Sequence, residues 1–361
     1  MKAVVLVGGE GTRLRPLTYA IPKQMLPVAG VTMIERVLAQ LARHGVDEVV
    51  LSMGYRPDAF LAAFGDGTAA GVRLTYAVEP EPLDTGGAIA FAARAAGIDD
   101  TFLAVNGDVL SDMDISAVVG FHRGRGAQAT IALTPVEDPS AFGVVPTDAD
   151  GRVEAFIEKP APGTAPTNLI NAGTYVLEPA VLDGIAEGRR VSVERETFPA
   201  LVELGALYAF PADEYWLDTG TPAQYLRANL DIVAGRRPDC LPPVAGAHQD
   251  STGVWLAAGA TRQGAVEGPC LLGAGSVVEE GAAVSSSVLG EGVVVESGAK
   301  VSGSVLLDGC RVAQDAAVDG AVIGRGATVG RGAAITPVTV VACDAEVAEG
   351  AELADARYPT P

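Results

Sequence analysis

The last third of the chain repeats a small apolar residue every six positions. This period predicts a parallel β-helix, in which each turn buries a small apolar residue on each face. The alternative, a disordered Gly/Ala/Val-rich tail, does not explain a period that continues from residue 254 to 347. The repeated positions, with one-residue slips after Val284, Val301 and Val318, are Val254, Ala260, Val266, Leu272, Val278, Val284, Leu289, Val295, Val301, Leu306, Val312, Val318, Ile323, Val329, Ile335, Val341 and Val347.

The first two thirds of the chain alternate strand-like and helix-like segments. This order predicts a Rossmann-like, mostly parallel sheet with helices on both faces. In such sheets ligands bind beyond the carboxyl ends of the strands, where the segments 8–13 and 106–108 fall. Strands are predicted at 2–7, 48–53, 74–78 and 102–105, and helices at 33–41 (capped by Gly45), 60–64 and 89–96.

Changes in composition divide the chain into four parts. An α/β domain is predicted over residues 1–237, followed by a linker at 238–252 that is rich in Pro, Ala and Gly. The β-helix is assigned to residues 253–350 and a tail to 351–361. The 361 residues are enough for two domains.

Charge and apolar patterning exclude several classes of partner. The formal net charge of −20 argues against a nucleic acid or an anionic membrane surface. No apolar run reaches the roughly 18 residues of a membrane span, and the N-terminal run is too short for a signal peptide. The cysteines lie far apart (Cys240, Cys270, Cys310 and Cys343), as expected for reduced thiols in a cytoplasmic protein.

The first predicted strand runs into a glycine turn that is followed by cations. Neither a P-loop nor a complete GxGxxG is present, because Leu14 stands where the third glycine belongs. Glycines allow close approach of the backbone, and arginine and lysine bind phosphate oxygens. Arg13 and Lys23 therefore indicate a polyphosphate ligand, whereas Arg15 could equally have a structural role.

Seven segments, in this order, resemble the sugar-1-phosphate nucleotidyltransferases, or nucleoside-diphosphate-sugar pyrophosphorylases. Their order and spacing are most similar to those of mannose-1-phosphate guanylyltransferases, which often carry a C-terminal left-handed β-helix. The resemblance covers nearly the whole chain. The segments are VGGEGTRLRPLT with PKQMLPVAG, VNGDVL, EDPSAFGVV, FIEKP, INAGTYVL, SVERETFP and YWLDTGTP.

The resemblance implies a reaction between two anions. A sugar-1-phosphate oxygen attacks the α-phosphorus of a nucleoside triphosphate, and pyrophosphate leaves. Arg13, Lys23 and Asp108 are implied as catalytic residues, and Asp108 and Asp218 as ligands of Mg²⁺. Mg²⁺ commonly takes one or two protein carboxylates and completes its octahedron with phosphate oxygens and water.

The resemblance also assigns the residues that bind the two substrates. Those expected to bind the nucleotide are Leu6, Gly8, Gly9, Gly11, Thr12, Arg13, Glu79, Glu81, Gly86 and Gly107. Those expected to bind the sugar phosphate are Gly143, Glu158, Lys159 and Asn171.

The identity of the base rests on few residues. Guanine presents two adjacent N–H donors, which a carboxylate can accept as hydrogen bonds. Glu79 and Glu81 are candidates for this carboxylate, and both precede a predicted turn at residues 85–87. Asp84 stands where many relatives have glycine. Gln24 departs from the Lys-Pro sequence of many guanylyltransferases and resembles the residue of the thymidylyltransferases. The expected substrates are GTP and mannose-1-phosphate. The alternative is thymidylyl, uridylyl or adenylyl transfer to glucose-1-phosphate.

Two other functions remain as alternatives. A non-catalytic regulatory subunit that binds the sugar nucleotide would be expected to lack signature residues that are present here. A β-helix that transfers acyl groups generally uses a histidine base, but His44, His122 and His248 all precede the regular coils. The β-helix is therefore expected to serve assembly, as part of a homo-oligomer.

Overall fold

The chain forms two compact units. The computed structural model describes residues 1–54, 56–65, 67–237, 240, 243–244 and 246–359. Unit 1 comprises Met1–Gly9 and Val37–Trp216, and unit 2 comprises Glu10–Arg36 and Leu217–Pro361. Residues 238–239, 241–242 and 245 of the predicted linker, and 360–361 of the predicted tail, lie outside the described residues.

The regular elements before residue 237 follow the predicted alternation. The helices are α1 (Met33–Arg43), α2 (Pro57–Phe64), α3 (Asp84–Ala95), α4 (Ile115–Arg125), α5 (Phe198–Glu203) and α6 (Pro222–Val233). The strands are β1 (Lys2–Leu6), β2 (Pro27–Val28), β3 (Val31–Thr32), β4 (Glu48–Met53), β5 (Thr68–Ala69), β6 (Val72–Val78), β7 (Phe102–Asn106), β8 (Val109–Ser111), β9 (Ala129–Pro135), β10 (Gly143–Val144), β11 (Ile157–Glu158), β12 (Leu169–Leu177), β13 (Leu207–Pro211) and β14 (Trp216–Asp218).

Short 3₁₀ and π segments connect these elements. The 3₁₀ helices are Thr12–Leu14, Leu17–Tyr19, Lys23–Met25, Pro139–Ala141 and Pro179–Gly184, and Val193–Thr197 is a π-helix.

The C-terminal strands are short and regularly spaced. They are β15 (His248–Gln249), β16 (Val254–Leu256), β17 (Thr261–Arg262), β18 (Ala265–Glu267), β19 (Cys270–Leu272), β20 (Val277–Val278), β21 (Ala283–Ser285), β22 (Val288–Leu289), β23 (Val294–Val295), β24 (Lys300–Ser302), β25 (Val305–Leu306), β26 (Arg311–Val312), β27 (Ala317–Asp319), β28 (Val322–Ile323), β29 (Thr328–Val329), β30 (Ala334–Ile335), β31 (Val340–Val341), β32 (Glu346–Val347), β33 (Glu352–Leu353) and β34 (Arg357–Tyr358).

The main sheet of unit 1 is parallel at its centre and antiparallel on one side. Its strand order is β11-β10-β12-β7-β1-β4-β6-β5, and β9 pairs with β12 and β13. Strands β7, β1, β4 and β6 run parallel, as predicted, and β1 and β7 carry signature segments at their carboxyl ends. Strand β12 is antiparallel to both β7 and β9, which the sequence analysis did not predict.

Burial explains why these residues form a layered core. The strand residues Val4, Ala104 and Ile131 are fully buried, and they pack with Tyr175 and Phe198 in one apolar cluster. Near-continuous burial along β1, β4 and β7 is typical of parallel strands that are covered on both faces. The predicted Rossmann-like fold of the N-terminal part is confirmed.

The C-terminal residues form a β-helix with three parallel sheets. The first runs β16-β19-β22-β25-β28-β31-β34, with β15 antiparallel to β16, and the other two run β17-β20-β23-β26-β29-β32 and β18-β21-β24-β27-β30-β33. Their repeated apolar residues share one buried cluster. This arrangement is consistent with the predicted left-handed β-helix. Its strands extend into residues 351–358, which the sequence analysis assigned to a tail.

Unit 2 contains more than the β-helix. The sequence analysis placed residues 10–36 and 217–237 in the N-terminal domain, whereas here they group with the C-terminal residues. Asn229 in α6 accepts a hydrogen bond from the Ala29 backbone N–H at 2.7 Å, and Trp255 in β16 donates to the Val233 carbonyl at 3.3 Å. Residues 10–36, which include Arg13 and Lys23, are thereby hydrogen-bonded to α6, and α6 is hydrogen-bonded to the β-helix.

No helix in the described part of the chain combines the length and hydropathy that a membrane crossing requires.

Candidate active site

The turn after β1 approaches a neighbouring backbone closely. Val7 donates its N–H to the Ser52 carbonyl at the end of β4. A Cβ added at Gly8 would lie 3.3 Å from the Gly54 backbone nitrogen, whereas Gly9 has open space around it. Gly8 thus allows the two backbones to approach closely, and Gly9 leaves open space at the carboxyl edge of the sheet.

A pocket of about 260 Å³ opens beside this turn, within unit 1. This volume is close to the ~300 Å³ at which small-molecule sites begin. The pocket brings together four residues predicted to bind the nucleotide, namely Leu6, Gly8, Gly9 and Glu79. The complete lining is Leu6, Gly8, Gly9, Glu79, Pro82, Leu83, Asp84, Thr85 and Ala88. We refer to it below as the base pocket.

Two hydrogen bonds hold the carboxylate of Glu79 in the base pocket. The Ser52 hydroxyl donates to Oε1 and the Leu83 backbone N–H to Oε2, each at 3.1 Å. Each carboxylate oxygen has a second lone pair for another donor. Glu81 is exposed and does not line this pocket.

Gly86 and Gly107 have packing roles in the structure. Residues 85–87, predicted as a turn, form the first turn of α3, so that prediction is wrong. Gly86 donates its N–H to the Val191 carbonyl at 2.8 Å, and an added Cβ would lie 3.1 Å from the same oxygen. A Cβ on Gly107 would lie 2.8 Å from a methyl carbon of Val7. Neither glycine lines the base pocket.

In unit 2 the segment from Gly11 to Lys23 folds tightly on itself. Gly11 has a φ of +62°, and an added Cβ would lie 2.9 Å from the Thr18 methyl carbon and 3.0 Å from the Lys23 Cβ. The Thr18 hydroxyl donates to the Gly11 carbonyl at 2.9 Å. Thr12 begins the 3₁₀ helix that carries Arg13. Only glycine fits this left-handed, crowded position.

Three predicted residues come together in unit 2. The Arg13 guanidinium lies 3.8 Å from one oxygen of Asp218, and the Lys23 ammonium lies 3.7 Å from the other. Lys23 is almost fully buried, whereas the Arg13 side chain is 63% exposed. A Cβ on Gly220 would overlap the Arg13 guanidinium. Gly220 is a site residue that the sequence analysis missed, although it lies in the YWLDTGTP segment.

Arg15 is engaged differently. Its guanidinium pairs with Glu10 at 2.7 Å and lies over the Tyr19 ring, 5.1 Å from the ring centroid. Of the two roles left open for Arg15, these contacts favour the structural one.

The residues predicted to bind the sugar phosphate lie in unit 1, on paired strands. Gly143 in β10 lies opposite Glu158 in β11, and a Cβ on Gly143 would overlap the Phe156 ring and lie 3.2 Å from Glu158 Oε2. Lys159 has a φ of +49°, and its ammonium lies 3.5 Å from Glu158 Oε1. The pair therefore presents an acceptor and a cation next to each other.

Asn171 is fixed by the strand that carries it. Its side-chain amide donates to the Tyr175 hydroxyl at 2.9 Å and accepts from the Gly173 backbone N–H at 2.9 Å. The register of β12 against β9 shifts between Asn171 and Tyr175, and Gly173 has a φ of +73°. This bulge turns Asn171 away from the regular pleat.

Tyr175 is a residue that the sequence analysis did not select. Its burial raises the pKa of the phenol well above its usual range, and the charges of Glu194, Glu158 and Asp108 raise it further. The phenol therefore remains protonated at any physiological pH.

The carboxylates predicted to bind metal fall in different units. Asp108 follows β7 in unit 1, and Asp218 ends β14 in unit 2. Both are hard oxygen donors, which fits Mg²⁺. Among the described residues, no group of three or more His, Cys, Asp or Glu side chains could hold a metal ion.

Comparison with protein families identifies the class to which this fold belongs. The model described as "Nucleotidyl transferase" matches residues 2–235, and the one described as "GMPPB C-terminal domain" matches residues 266–357. The first match covers more than half of the chain. The chain therefore belongs to the nucleotidyl transferase family.

Curated relatives share one printed activity. A mannose-1-phosphate guanylyltransferase of Mycobacterium tuberculosis is 48% identical over 238 residues, which is 65% of this chain and 66% of the relative. A probable mannose-1-phosphate guanylyltransferase 2 of Arabidopsis thaliana is 42% identical over 251 residues, covering 67% and 68%. The match thus spans about two thirds of the relatives' length.

Solved structures match somewhat less than two thirds of the chain. HddC from Yersinia pseudotuberculosis complexed with GMP-PN has a TM-score of 0.54 and 28% identity, covering 63% of this chain and 97% of that one. A putative glucose-1-phosphate thymidylyltransferase from Bacillus anthracis has a TM-score of 0.57 and 25% identity, covering 63% and 94%.

Proposed function

We propose that the protein transfers GMP from GTP to mannose-1-phosphate, giving GDP-mannose and pyrophosphate. The observation that carries this proposal is the base pocket, in which hydrogen bonds from Ser52 and Leu83 hold the Glu79 carboxylate. A fixed carboxylate is complementary to the N1–H and N2–H₂ donors of guanine. The printed names of the curated relatives support the same pair of substrates.

The proposed reaction needs no nucleophilic side chain. An ionised oxygen of mannose-1-phosphate attacks the α-phosphorus of GTP, and the bond from this phosphorus to the bridging oxygen breaks. The electron pair leaves with pyrophosphate. The task of the protein is alignment and neutralisation of charge, for which Arg13 and Lys23 are suited. Thr12 and Gly11 would position the same phosphates through the backbone of their loop.

We assign Asp218 a second role, in holding the two cations before substrate binds. Its two oxygens lie 3.8 Å from Arg13 and 3.7 Å from Lys23. These separations exceed a direct hydrogen bond of about 3 Å, so the ion pairs are loose. Phosphate oxygens can therefore replace the carboxylate as partners of both cations at little cost.

Mg²⁺ is the proposed cofactor, with Asp108 and Asp218 as its protein ligands. When bound, the ion neutralises phosphate charge and polarises the reacting phosphorus. Phosphate oxygens and water would complete its coordination.

Glu158, Lys159, Asn171 and Gly143 are proposed to bind mannose-1-phosphate. The 3.5 Å separation of the Lys159 ammonium and the Glu158 carboxylate suits a ligand that carries a phosphate beside hydroxyl groups. The bulge takes Asn171 out of the regular pleat, and we assign its amide to the same ligand. Gly143 cannot carry a side chain, because a Cβ there would collide with Phe156.

The test is pyrophosphate release with Mg²⁺, in which GTP, dTTP, UTP, ATP and CTP are each combined with mannose-1-phosphate and glucose-1-phosphate. The proposal predicts the highest kcat/KM for GTP with mannose-1-phosphate. Preference for dTTP or UTP with glucose-1-phosphate would support the alternative transfer, to which the thymidylyltransferase-like Gln24 points. Tight binding of a sugar nucleotide without any turnover would instead indicate a regulatory subunit.

We further propose a cytoplasmic homo-oligomer that associates through the β-helix. The described cysteines are free thiols, and burial raises the pKa of Cys310 to about 12, so this thiol is unreactive. Light scattering of the full chain and of a variant that lacks the β-helix would test the association. A monomeric full chain would contradict it.

A further inference from the structure

Asp84 begins α3 with an unusual backbone conformation. Its φ is +61°, in the left-handed region that glycine occupies readily. Other residues are strained there, although aspartate tolerates the region better than most. Such strain persists where the surrounding structure holds it, often at a binding site. The question is what the side chain of Asp84 does that glycine could not do.

Asp84 is one of the residues that line the base pocket. Asp84 lines the pocket together with Glu79, and its side chain is 34% exposed. One oxygen, Oδ1, accepts the Thr85 backbone N–H at 2.9 Å. The other, Oδ2, lies 3.7 Å from the Arg190 Nε, which is too long for a direct hydrogen bond.

Arg190 does not neutralise this carboxylate strongly. The side chain of Arg190 is 74% exposed, and ion pairs at such sites contribute little because water screens them. The Oδ2 oxygen of Asp84 therefore keeps its capacity to accept further hydrogen bonds.

The charged side chains that line the base pocket are both acidic. Glu79 and Asp84 are its charged residues, and neither lysine nor arginine is among the described residues that line it. Two carboxylates favour a base edge with adjacent N–H donors, as in guanine. They disfavour uracil and thymine, whose carbonyl oxygens are acceptors.

We propose that Asp84 is a specificity-determining residue of the base pocket, whose carboxylate accepts a hydrogen bond from the donor edge of guanine and repels pyrimidine carbonyl oxygens. This inference rests on the proposed function, because it concerns the base of the same nucleotide. If Asp84 served only to cap the first turn of α3 through the Thr85 N–H, its charge would have no influence on base selection.

The test compares equilibrium binding of GTP and UTP to the full-length protein and to two variants. Asp84→Asn keeps the size and removes the charge, and Asp84→Gly removes the side chain while suiting the left-handed backbone. We expect the preference for GTP over UTP to fall at least tenfold in both variants. Asp183→Asn is the control, since Asp183 is exposed and outside the pocket, and its preference should stay within twofold of the wild type.

Two outcomes would overturn the role of Asp84. The first is a wild-type protein that does not prefer GTP to UTP. The second is a preference that remains within twofold of the wild type in both variants. Because binding is measured without turnover, this test is separate from that of the reaction. A protein that prefers GTP, loses this preference in both Asp84 variants and releases no pyrophosphate would contradict the proposed transfer and leave the role of Asp84 supported.

Discussion

At the scale of single residues, Arg13 tests the assigned phosphate site. We predict that Arg13→Ala lowers kcat/KM at least about 100-fold, because a cation aimed at developing phosphate charge contributes on that order. The fold should be retained, since the side chain is 63% exposed. Arg15→Ala is the control, because Arg15 pairs with Glu10 and Tyr19. Near-normal turnover in Arg13→Ala would refute the role.

Asp108 tests the proposed metal site. We predict that Asp108→Asn raises the Mg²⁺ concentration for half-maximal activity at least about tenfold, because an amide is a weaker ligand than a carboxylate. Calorimetric titration of the protein with GTP at a series of Mg²⁺ concentrations gives a second readout, independent of turnover. Asp183→Asn should behave like the wild type. Unchanged Mg²⁺ dependence in both measurements would remove Asp108 from the metal site.

Tyr175 tests whether a buried hydroxyl positions a substrate-binding amide. Tyr175→Phe removes the acceptor of the Asn171 amide, so we predict about a tenfold rise in KM for mannose-1-phosphate with KM for GTP unchanged. Tyr225→Phe is a matched control in unit 2, where the hydroxyl donates to the Pro27 carbonyl. It should lower the melting temperature without the selective effect on KM. Equal changes in both KM values for Tyr175→Phe would indicate a general structural role.

At the scale of elements, a ladder of buried hydroxyls stabilises one corner of the β-helix. The Ser287 hydroxyl accepts the Ser304 N–H at 3.1 Å, and the Ser304 hydroxyl accepts the Ala321 N–H at 3.1 Å. Cys270 occupies the preceding position and accepts the Ser287 N–H at 3.4 Å. The corner at Ser287 lies between β21 and β22, where the six-residue period slips by one. The hydroxyls satisfy the amides of this shortened corner.

The ladder predicts a stability defect without a catalytic one. Ser304→Ala removes the hydroxyl that accepts the Ala321 N–H and donates to the Ser302 carbonyl in a buried corner. We expect this loss to lower the free energy of unfolding by about 1–3 kcal/mol. Ser302→Ala, which removes an exposed hydrogen bond to Asp319, should cost within about 0.5 kcal/mol. Urea unfolding measures both variants. Equal costs would show that the ladder is not stabilising.

Helix α3 shows how tertiary contacts overrule local sequence. Residues 85–87 read as a turn because two glycines disfavour a helix. In the fold, Gly86 and Gly87 both donate to the Val191 carbonyl, and a Cβ on Gly87 would lie 2.7 Å from the Arg189 carbonyl. The glycines are thus required by the close approach of a segment about a hundred residues later in the sequence, which no local pattern reveals.

At the scale of the whole molecule, regular patterns were predictable and long-range groupings were not. The central strands and the β-helix followed from burial and period, and β4 has the predicted bounds. Strand β12 was missed because Gly173 and the bulge interrupt its alternation. The grouping of residues 10–36 with α6 and the β-helix depends on contacts such as that of Ala29 with Asn229, which are 200 positions apart.

The residues of the candidate site divide in the same way, into those that the sequence predicted and those that depend on the folded chain. Arg13, Lys23 and Asp218 were selected from sequence segments, and the fold of unit 2 places them together. Tyr175 and Gly220 lie within signature segments but were not selected, because their roles depend on contacts with Asn171 and Arg13 that form only in the folded chain. The positive φ of Asp84 is likewise a property of the folded chain.

The measurement that tests the central claim most directly is identification of the product under competition. The full chain is incubated with Mg²⁺, equal amounts of GTP, dTTP, UTP, ATP and CTP, and both mannose-1-phosphate and glucose-1-phosphate, and the sugar nucleotides are resolved by mass spectrometry. The proposed transfer predicts GDP-mannose as the main product, with pyrophosphate in equal amount. A main product that carries thymine or uracil, or the absence of any sugar nucleotide, would contradict it.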